Sequence, residues 1–284
     1  MKRILSAAVC LVLACSSASA WGRYGHATIA KIAENHLTAA SKAAISEILD
    51  GESIVLYASY ADENKGKMFI DLGCEPTSPG DKRFMNHPHT FEANMDFEPF
   101  HGILDGGRYV KNCIHFVEEY AADLKDWKNL PDSLRWHELV LLVHFVGDMH
   151  CPEHIRYNPE DMTIGYYNVI YKGVETRYHT IWDDLYLTTK YPWSIGDLAM
   201  LFDSASEEQI AEIVKGGPYD WGRDVAKCCW PVHQIKPGET LGKQFNKDMA
   251  PLLKSQIRKA GYRLAHELNM TFDAKYAKKH NKQK

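Results

Sequence analysis

No apolar run in this 284-residue chain is long enough to cross a bilayer. The longest, Ile4 to Leu13, spans about ten residues where roughly 20 are needed. Positive charge is also scarce: 33 Lys and Arg stand against 37 Asp and Glu, which excludes the broad basic footprint of a protein that tracks long nucleic acid by charge alone. A cationic pocket built from metal ions would not enter that count. The 7 cysteines include no C-x-x-C pair, which argues against a cysteine-only zinc site. No internal repeat and no linker divides the sequence, which reads as one mainly α-helical domain with long functional loops.

The short apolar run has its own explanation. Lys2 and Arg3 precede it and Ala18-Ser19-Ala20 follows, the three-part layout of a secretory signal with an A-x-A cleavage site. Cleavage after Ala20 would leave residues 21–284 as the catalytic domain, exported to the periplasm or secreted, with a net charge of −6 instead of −4. Val12-Leu13-Ala14-Cys15 weakly resembles a lipoprotein box, but Leu13 fits it poorly and the A-x-A site is favoured. Processing would free an α-amine on Trp21, a group that titrates near pH ~8 and is metal-binding when neutral. His26 follows closely enough to join the same ion. Five cysteines would remain (Cys74, Cys113, Cys151, Cys228 and Cys229), an odd number whose pairing the sequence does not set.

Apolar positions at three- and four-residue steps predict a helix over Gly25–Leu49, interrupted between Thr38 and Ser41, and Ser53–Ala61 reads as a short helix or turn ending at Asp62. Further helices are expected at Tyr109–Leu124, Leu134–Met149, Tyr178–Leu187, Ser194–Lys215 and Asn246–Asn269. Pro152 should end the Leu134–Met149 helix near His150. Gly73–Gly107, rich in Pro, Gly, Asn and His, reads as a long loop. Asn158–Thr176 reads as a loop with a short hairpin around Tyr166–Tyr171, and the polar tail near 278–284 as frayed.

Within that frame, His144 and Asp148 fall four residues apart on one helix face, in an otherwise apolar helix where buried charge needs a partner or a metal. His154 follows Pro152, where the chain can turn back toward the same point. His179 and Asp183 repeat the spacing on another helix. Imidazoles with carboxylates are the ligand set of catalytic zinc.

The segments Trp21-Gly-x-x-Gly-His26, Ile29-Ala30-x-Ile32-Ala33, Ala61-Asp62, Leu142-Val-His144-Phe-Val-Gly-Asp148-Met-His150-x-Pro152-x-His154 and His179-x-x-Trp182-Asp183 occur in that order. Together they resemble the trinuclear-zinc single-strand nucleases of the S-one/P-one type, which share an all-α fold and metal cluster with bacterial zinc phospholipases C. The resemblance covers Trp21 to Asp183 and implies three zinc ions per chain. Trp21, through amine and carbonyl, and His26 would hold one ion. Asp148 would bridge it to a second, also held by Asp62, His144 and a loop histidine, while His154, His179 and Asp183 would hold the third. Asp62 would also orient the attacking water, so that Asp62 and Asp148 are the catalytic carboxylates. The implied reaction is attack of a zinc-activated hydroxide on phosphorus with cleavage of the P–O3′ bond, in single-stranded nucleic acid or a 3′-nucleotide. The implied enzyme is a monomer with no obligate protein partner.

The family's loop histidine lies in an aromatic-His-aromatic-x-acid run, whereas this chain reads Asn86-His87-Pro88-His89-Thr90-Phe91-Glu92. His89 places Glu92 at the acidic position; His87 and His101 are its rivals. His150 matches a family histidine and is read as orienting a ligand. The departures cluster around substrate recognition. Thr90 replaces an aromatic residue, with Phe91 as a substitute stacking surface for a base. Cys151 and Glu153 replace a glutamine and a leucine, and Tyr60 a tryptophan. Tyr166-Tyr167-Asn168 stands where Gly-Gly-Asn is usual, offering two tyrosines either to the substrate or to loop packing. A zinc phospholipase C is the rival enzyme, and an exported metal-binding homologue without turnover is the non-enzymatic alternative.

Overall fold

The computed structural model describes residues 21–64, 89–100, 102–105, 108–157 and 167–281. The expected signal segment with Cys15, together with Cys74, His87, His101 and Tyr166, lies outside the described residues.

Helices carry the core. The break expected between Thr38 and Ser41 separates α1 (Gly22–Asn35) from α2 (Ala39–Ile48), because the Thr38 hydroxyl caps the second helix by accepting from the Ser41 N–H at 3.2 Å. Two single-turn helices follow, α3 (Ile54–Tyr57) and α4 (Tyr60–Glu63). The expected helix from Tyr109 begins later. Arg108–Lys111 forms strand β3, antiparallel to β2 (Gly102–Asp105), and Asn112 then caps α5 (Cys113–Asp123) by accepting from the His115 N–H. An amide side chain at the cap position, rather than the apolar periodicity, sets that boundary.

The sixth helix, α6 (Asp132–Met149), is the structural axis. From Glu138 to Met149 every residue is buried, so this stretch has no solvent face and any polar side chain on it must find its partner inside. It ends at His150, and Pro152 starts the turn that follows. Strand β1 (Phe91–Glu92) then pairs in parallel with β4 (Ile155–Arg156), Phe91 opposite Ile155, which ties the His89 loop to the segment after His154.

A hairpin of β5 (Asn168–Tyr171) and β6 (Val174–Arg177) lies a few residues beyond its expected place, turning at Lys172-Gly173 where both residues have positive φ. Short β7 (Thr240–Leu241) joins β5 in parallel. After the hairpin come α7 (Tyr178–Thr180), a π-helical turn (Ile181–Leu185) and α8 (Tyr186–Lys190). The helix expected over Ser194–Lys215 is two, α9 (Ile195–Phe202) and α10 (Glu207–Ile213), because Ser206 and Gln209 form a reciprocal capping box that restarts the chain. Helix α11 (Pro218–Cys229) was not expected, although Pro218 at its first turn is a start signal.

The last long helix, α12 (Lys243–Phe272), packs on α1 so closely that a Cβ on Gly261 would meet Ile32 at 2.5 Å. Lys278–His280 belong to α13 (Ala274–His280), which Asp273 caps and a Tyr276–His280 ring stack at 3.9 Å steadies; the rest of the expected frayed tail, from 282, lies outside the described residues. Among the described residues, no helix is long and apolar enough to cross a membrane, and Cys113, Cys151, Cys228 and Cys229 carry free thiols.

Candidate metal centre

His144 and Asp148 share one face of α6, with His144 Nε2 3.1 Å from Asp148 Oδ2. His144 donates from Nδ1–H to the Ala58 carbonyl at 2.9 Å, which fixes its tautomer and aims Nε2 inward. His26 arrives from α1, with Nε2 3.2 Å from Asp148 Oδ1. The two imidazoles stack at 4.2 Å between centroids, 15° from parallel. Asp62, on α4, presents one oxygen to each histidine at 3.7 Å.

The close approach of α1 to α6 depends on Gly147, where a Cβ would sit 2.6 Å from His26 Nδ1. The glycine between His144 and Asp148 is therefore a space requirement of the His26 ring. Trp21 begins α1, fully buried, and its carbonyl accepts from the Gly25 N–H at 3.0 Å. Gly25 is likewise a contact glycine, its Cβ position lying 2.6 Å from Trp21 Cβ.

Burial alone would make this group untenable. It would raise the Asp148 carboxyl, but His144 and His26 outweigh it and hold Asp148 well below the usual carboxylate range. Burial would likewise lower His144, but Asp148 and Asp62 hold it up at about 9. Even so, His26 Nε2, His144 Nε2 and both Asp148 oxygens are buried without a hydrogen bond of good geometry. Nitrogen and oxygen atoms converging in a buried site without hydrogen-bond partners fit a divalent cation, which would take the place of the proton on His144, and one ligand atom each from His26, His144 and Asp148 lies within 4.8 Å of the others.

A second group adjoins it. His179 Nε2 lies 3.1 Å from Asp183 Oδ2, and His154 Nδ1 lies 4.0 Å from Asp183 Oδ1. The π-helical turn carries Asp183, a distortion that frequently marks functional sites in helices. The Cys151 thiol, noted in the sequence only as a replacement, belongs here, with donor atoms of Cys151, His154 and Asp183 all within 4.8 Å of one another. Glu153 also joins the group, its Oε2 3.7 Å from His179 Nδ1. Both were legible as polar residues flanking Pro152; what the sequence lacked was the turn that points them inward.

The remaining candidates fall in different places. His89 is buried with its ring 5.0 Å from that of His154, beside the second group. The parallel β1–β4 pairing holds the His89 loop against the segment that follows His154. His150 orients none of the ligand candidates through a hydrogen bond in the structure. Its Nδ1–H donates to the Val146 carbonyl at 2.7 Å and its Nε2 accepts from Arg263 at 2.9 Å, while burial and the Arg263 charge keep the ring neutral. Phe91 is fully buried and offers no face to a base, because β1 turns it into the core. Glu92 is also fully buried, 3.6 Å from Arg156. Tyr167 stacks on Tyr178 at 5.4 Å and donates to the Ile235 carbonyl, which is loop packing, and the Asn168 side chain donates to Glu175 across the hairpin.

A helical chain enclosing adjoining clusters of imidazoles and carboxylates has the architecture of a metal-dependent hydrolase. The S1/P1 Nuclease family model matches residues 21–273, and the chain belongs to that family. It is 24% identical to Endonuclease 2 of Arabidopsis thaliana over 93% of this chain and 94% of the relative. Nuclease S1 of Aspergillus oryzae is 23% identical over 95% of this chain and 98% of its own length, and Nuclease P1 of Penicillium citrinum 24% over 91% and 100%. The chain is thus a nuclease-class hydrolase of phosphoester bonds, and zinc is the metal its family implies for the two groups.

Proposed function

We propose that this chain is an exported, zinc-dependent single-strand endonuclease and 3′-nucleotidase that holds three zinc ions. The observation that carries the reading is Asp148, buried between two imidazoles with one oxygen toward each, the position of a carboxylate shared by neighbouring cations. Trp21, through the amine that processing frees and its carbonyl, would hold one ion with His26 and Asp148. Asp62, His144 and His89 would complete a second with Asp148, and His154, His179 and Asp183 a third. Zinc supplies Lewis acidity and lowers the pKa of a bound water to about 7.

The chain's own side chains do the rest. Asp62, facing both His26 and His144, accepts a hydrogen bond from the attacking water and sets its direction. Asp148 would hold cations on both of its oxygens and supply negative charge to them, and the Ala58 carbonyl keeps His144 from rotating out of place. The enclosed walls exclude competing water and strengthen each of these interactions. The bond formed joins water oxygen to phosphorus and the bond broken is P–O3′; the leaving oxygen takes up a proton to become a 3′-hydroxyl, water having given one up, and the phosphate stays as a 5′-phosphate on a cleaved strand or leaves as free phosphate from a 3′-nucleotide.

The burial of Phe91 removes one expected base platform, which leaves phosphoester hydrolysis better supported than any base preference. The test is a protein that begins at Trp21, assayed for bound zinc and for hydrolysis of single-stranded DNA, duplex DNA, a 3′-nucleotide and phosphatidylcholine. Single-strand and 3′-nucleotide turnover with bound zinc is expected. Lipid turnover without nucleotide turnover would make it a phospholipase C instead, and zinc binding without any turnover would make it a metal-binding homologue.

A further inference from the structure

We propose that Glu153 is the positioning residue of the third metal group: its carboxylate holds His179 through Nδ1, so that Nε2 is aimed at the metal beside Asp183. The inference rests on the zinc reading above. Glu153 is 1% exposed, and neither of its carboxylate oxygens has a hydrogen-bond partner. A buried carboxylate in that state is costly and calls for a cationic or donating neighbour.

Three phenols surround it, and none serves. Tyr157, Tyr167 and Tyr178 donate instead to the backbone carbonyls of Ala226, Ile235 and Val232 at 2.6, 2.6 and 2.9 Å. Burial pushes the Tyr167 and Tyr178 hydroxyls up and the Glu153 charge pushes them further, so proton donation as an acid is no alternative role for them. The ion-pair partner that remains is His179, whose Nδ1 lies 3.7 Å from Glu153 Oε2 while its Nε2 faces Asp183 at 3.1 Å.

The two nitrogens of one ring thus point at two different acids. When Nε2 coordinates a cation, the ring proton resides on Nδ1 and becomes the donor the Glu153 carboxylate lacks. A small side-chain movement closes the distance to a hydrogen bond. Such a pairing fixes ring orientation and raises the basicity of the ligating nitrogen. The carboxylate stands one residue from ligand candidate His154.

The experiment compares wild type, E153Q and E153L, each beginning at Trp21. Readouts are zinc affinity by chelator competition, thermal unfolding of the metal-free protein, and the imidazole N–H resonances of the zinc-loaded protein by ¹⁵N NMR. Loss of a partner that supports a metal ligand typically costs about 10–100-fold in affinity. One zinc ion is expected to weaken by that factor in E153L and by less in E153Q, whose amide oxygen still accepts. A slowly exchanging His179 Nδ1–H signal is expected in wild type and E153Q and not in E153L. The metal-free E153L protein should be as stable as wild type or more so, because a buried carboxylate has been removed. A merely structural acid would give the opposite pattern, with metal-free stability lowered and zinc affinity unchanged, and that overturns the inference. Should E153L fail to fold, unchanged zinc affinity and no Nδ1–H signal in E153Q would overturn it equally. Wild type that holds no zinc overturns this inference together with the reading beneath it, whereas full zinc affinity in a folded E153L overturns this inference alone.

Discussion

Asp148 places Oδ1 3.2 Å from His26 Nε2 and Oδ2 3.1 Å from His144 Nε2, joining the first helix of the domain to its central one through a single carboxylate. Because both oxygens face an imidazole nitrogen, an amide is a poor replacement: one end would present N–H groups to a nitrogen that, in the proposed centre, binds metal. D148N is therefore expected to lose metal and to lower kcat/KM by more than 10²-fold, beyond the roughly 10–100-fold typical of a supporting partner. Metal content per chain and steady-state kinetics check it; full metal content with near-normal turnover would remove Asp148 from the centre.

Gly147 makes a separable prediction. Alanine is the best helix former, so G147A should leave α6 helical. Its methyl group would nevertheless occupy space 2.6 Å from His26 Nδ1 and push that ring away from Asp148. Misplacement on the order of 1 Å costs about 10²-fold in rate. Circular dichroism should match wild type while activity falls by roughly that factor; unimpaired activity would show that His26 is not needed where it stands.

The amino terminus supplies a third. A chain carrying one extra residue before Trp21 keeps the fully buried indole and the carbonyl bond to Gly25, but its Trp21 nitrogen is an amide without a basic lone pair. Zinc affinity is expected to drop by at least the 10–100-fold of a lost supporting group, with activity falling alongside. Equal zinc affinity and activity in the processed and extended chains would mean that the amine is no ligand.

The network behind His150 predicts an acid limit. Arg263 is buried and donates to Asp224 at 2.6 Å and to His150 at 2.9 Å, and Lys259 also donates to Asp224. Burial would raise the Asp224 carboxyl, but Arg263 and Lys259 hold it at about 2. Its folded value is thus depressed below the unfolded value near ~3.9, so its stabilisation is complete above about pH 4 and lost as pH falls through about 2. D224N strands the Arg263 charge. The expected loss is about 2–3 kcal/mol at neutral pH, less than for a fully enclosed pair because Asp224 is 35% exposed. Urea denaturation at pH 7 and at pH 2.5 tests this; the difference between wild type and variant should shrink at the lower pH.

Much of this centre was legible because its chemistry is local. His144 and Asp148, like His179 and Asp183, are four residues apart on helices, so the sequence spacing already places each pair on one face. The helix over Leu134–Met149 and its end before Pro152 follow from apolar content and one imino acid. Less local features were harder to read. The start of α5 depended on the Asn112 cap, the split at Ser206 on a side-chain–backbone exchange, and the π-turn under Asp183 on packing. Glu153 looked like a substitution in a substrate loop until the turn after Pro152 directed it at His179. Phe91 looked like a surface for a base until the β1–β4 pairing buried it.

The sequence by itself determined the candidate ligand types, their helical pairing and the family, since these depend on residue identity and on spacings that a helix converts directly into geometry. Tertiary structure decided which pairs share a centre. His26 and Asp148 are 122 positions apart, and only the glycine-permitted contact of α1 with α6 brings them to 3.2 Å. It also decided which buried acids face a histidine and which face an arginine, because in a dry interior a charge is defined by its nearest partner, and the nearest partner is a property of the fold.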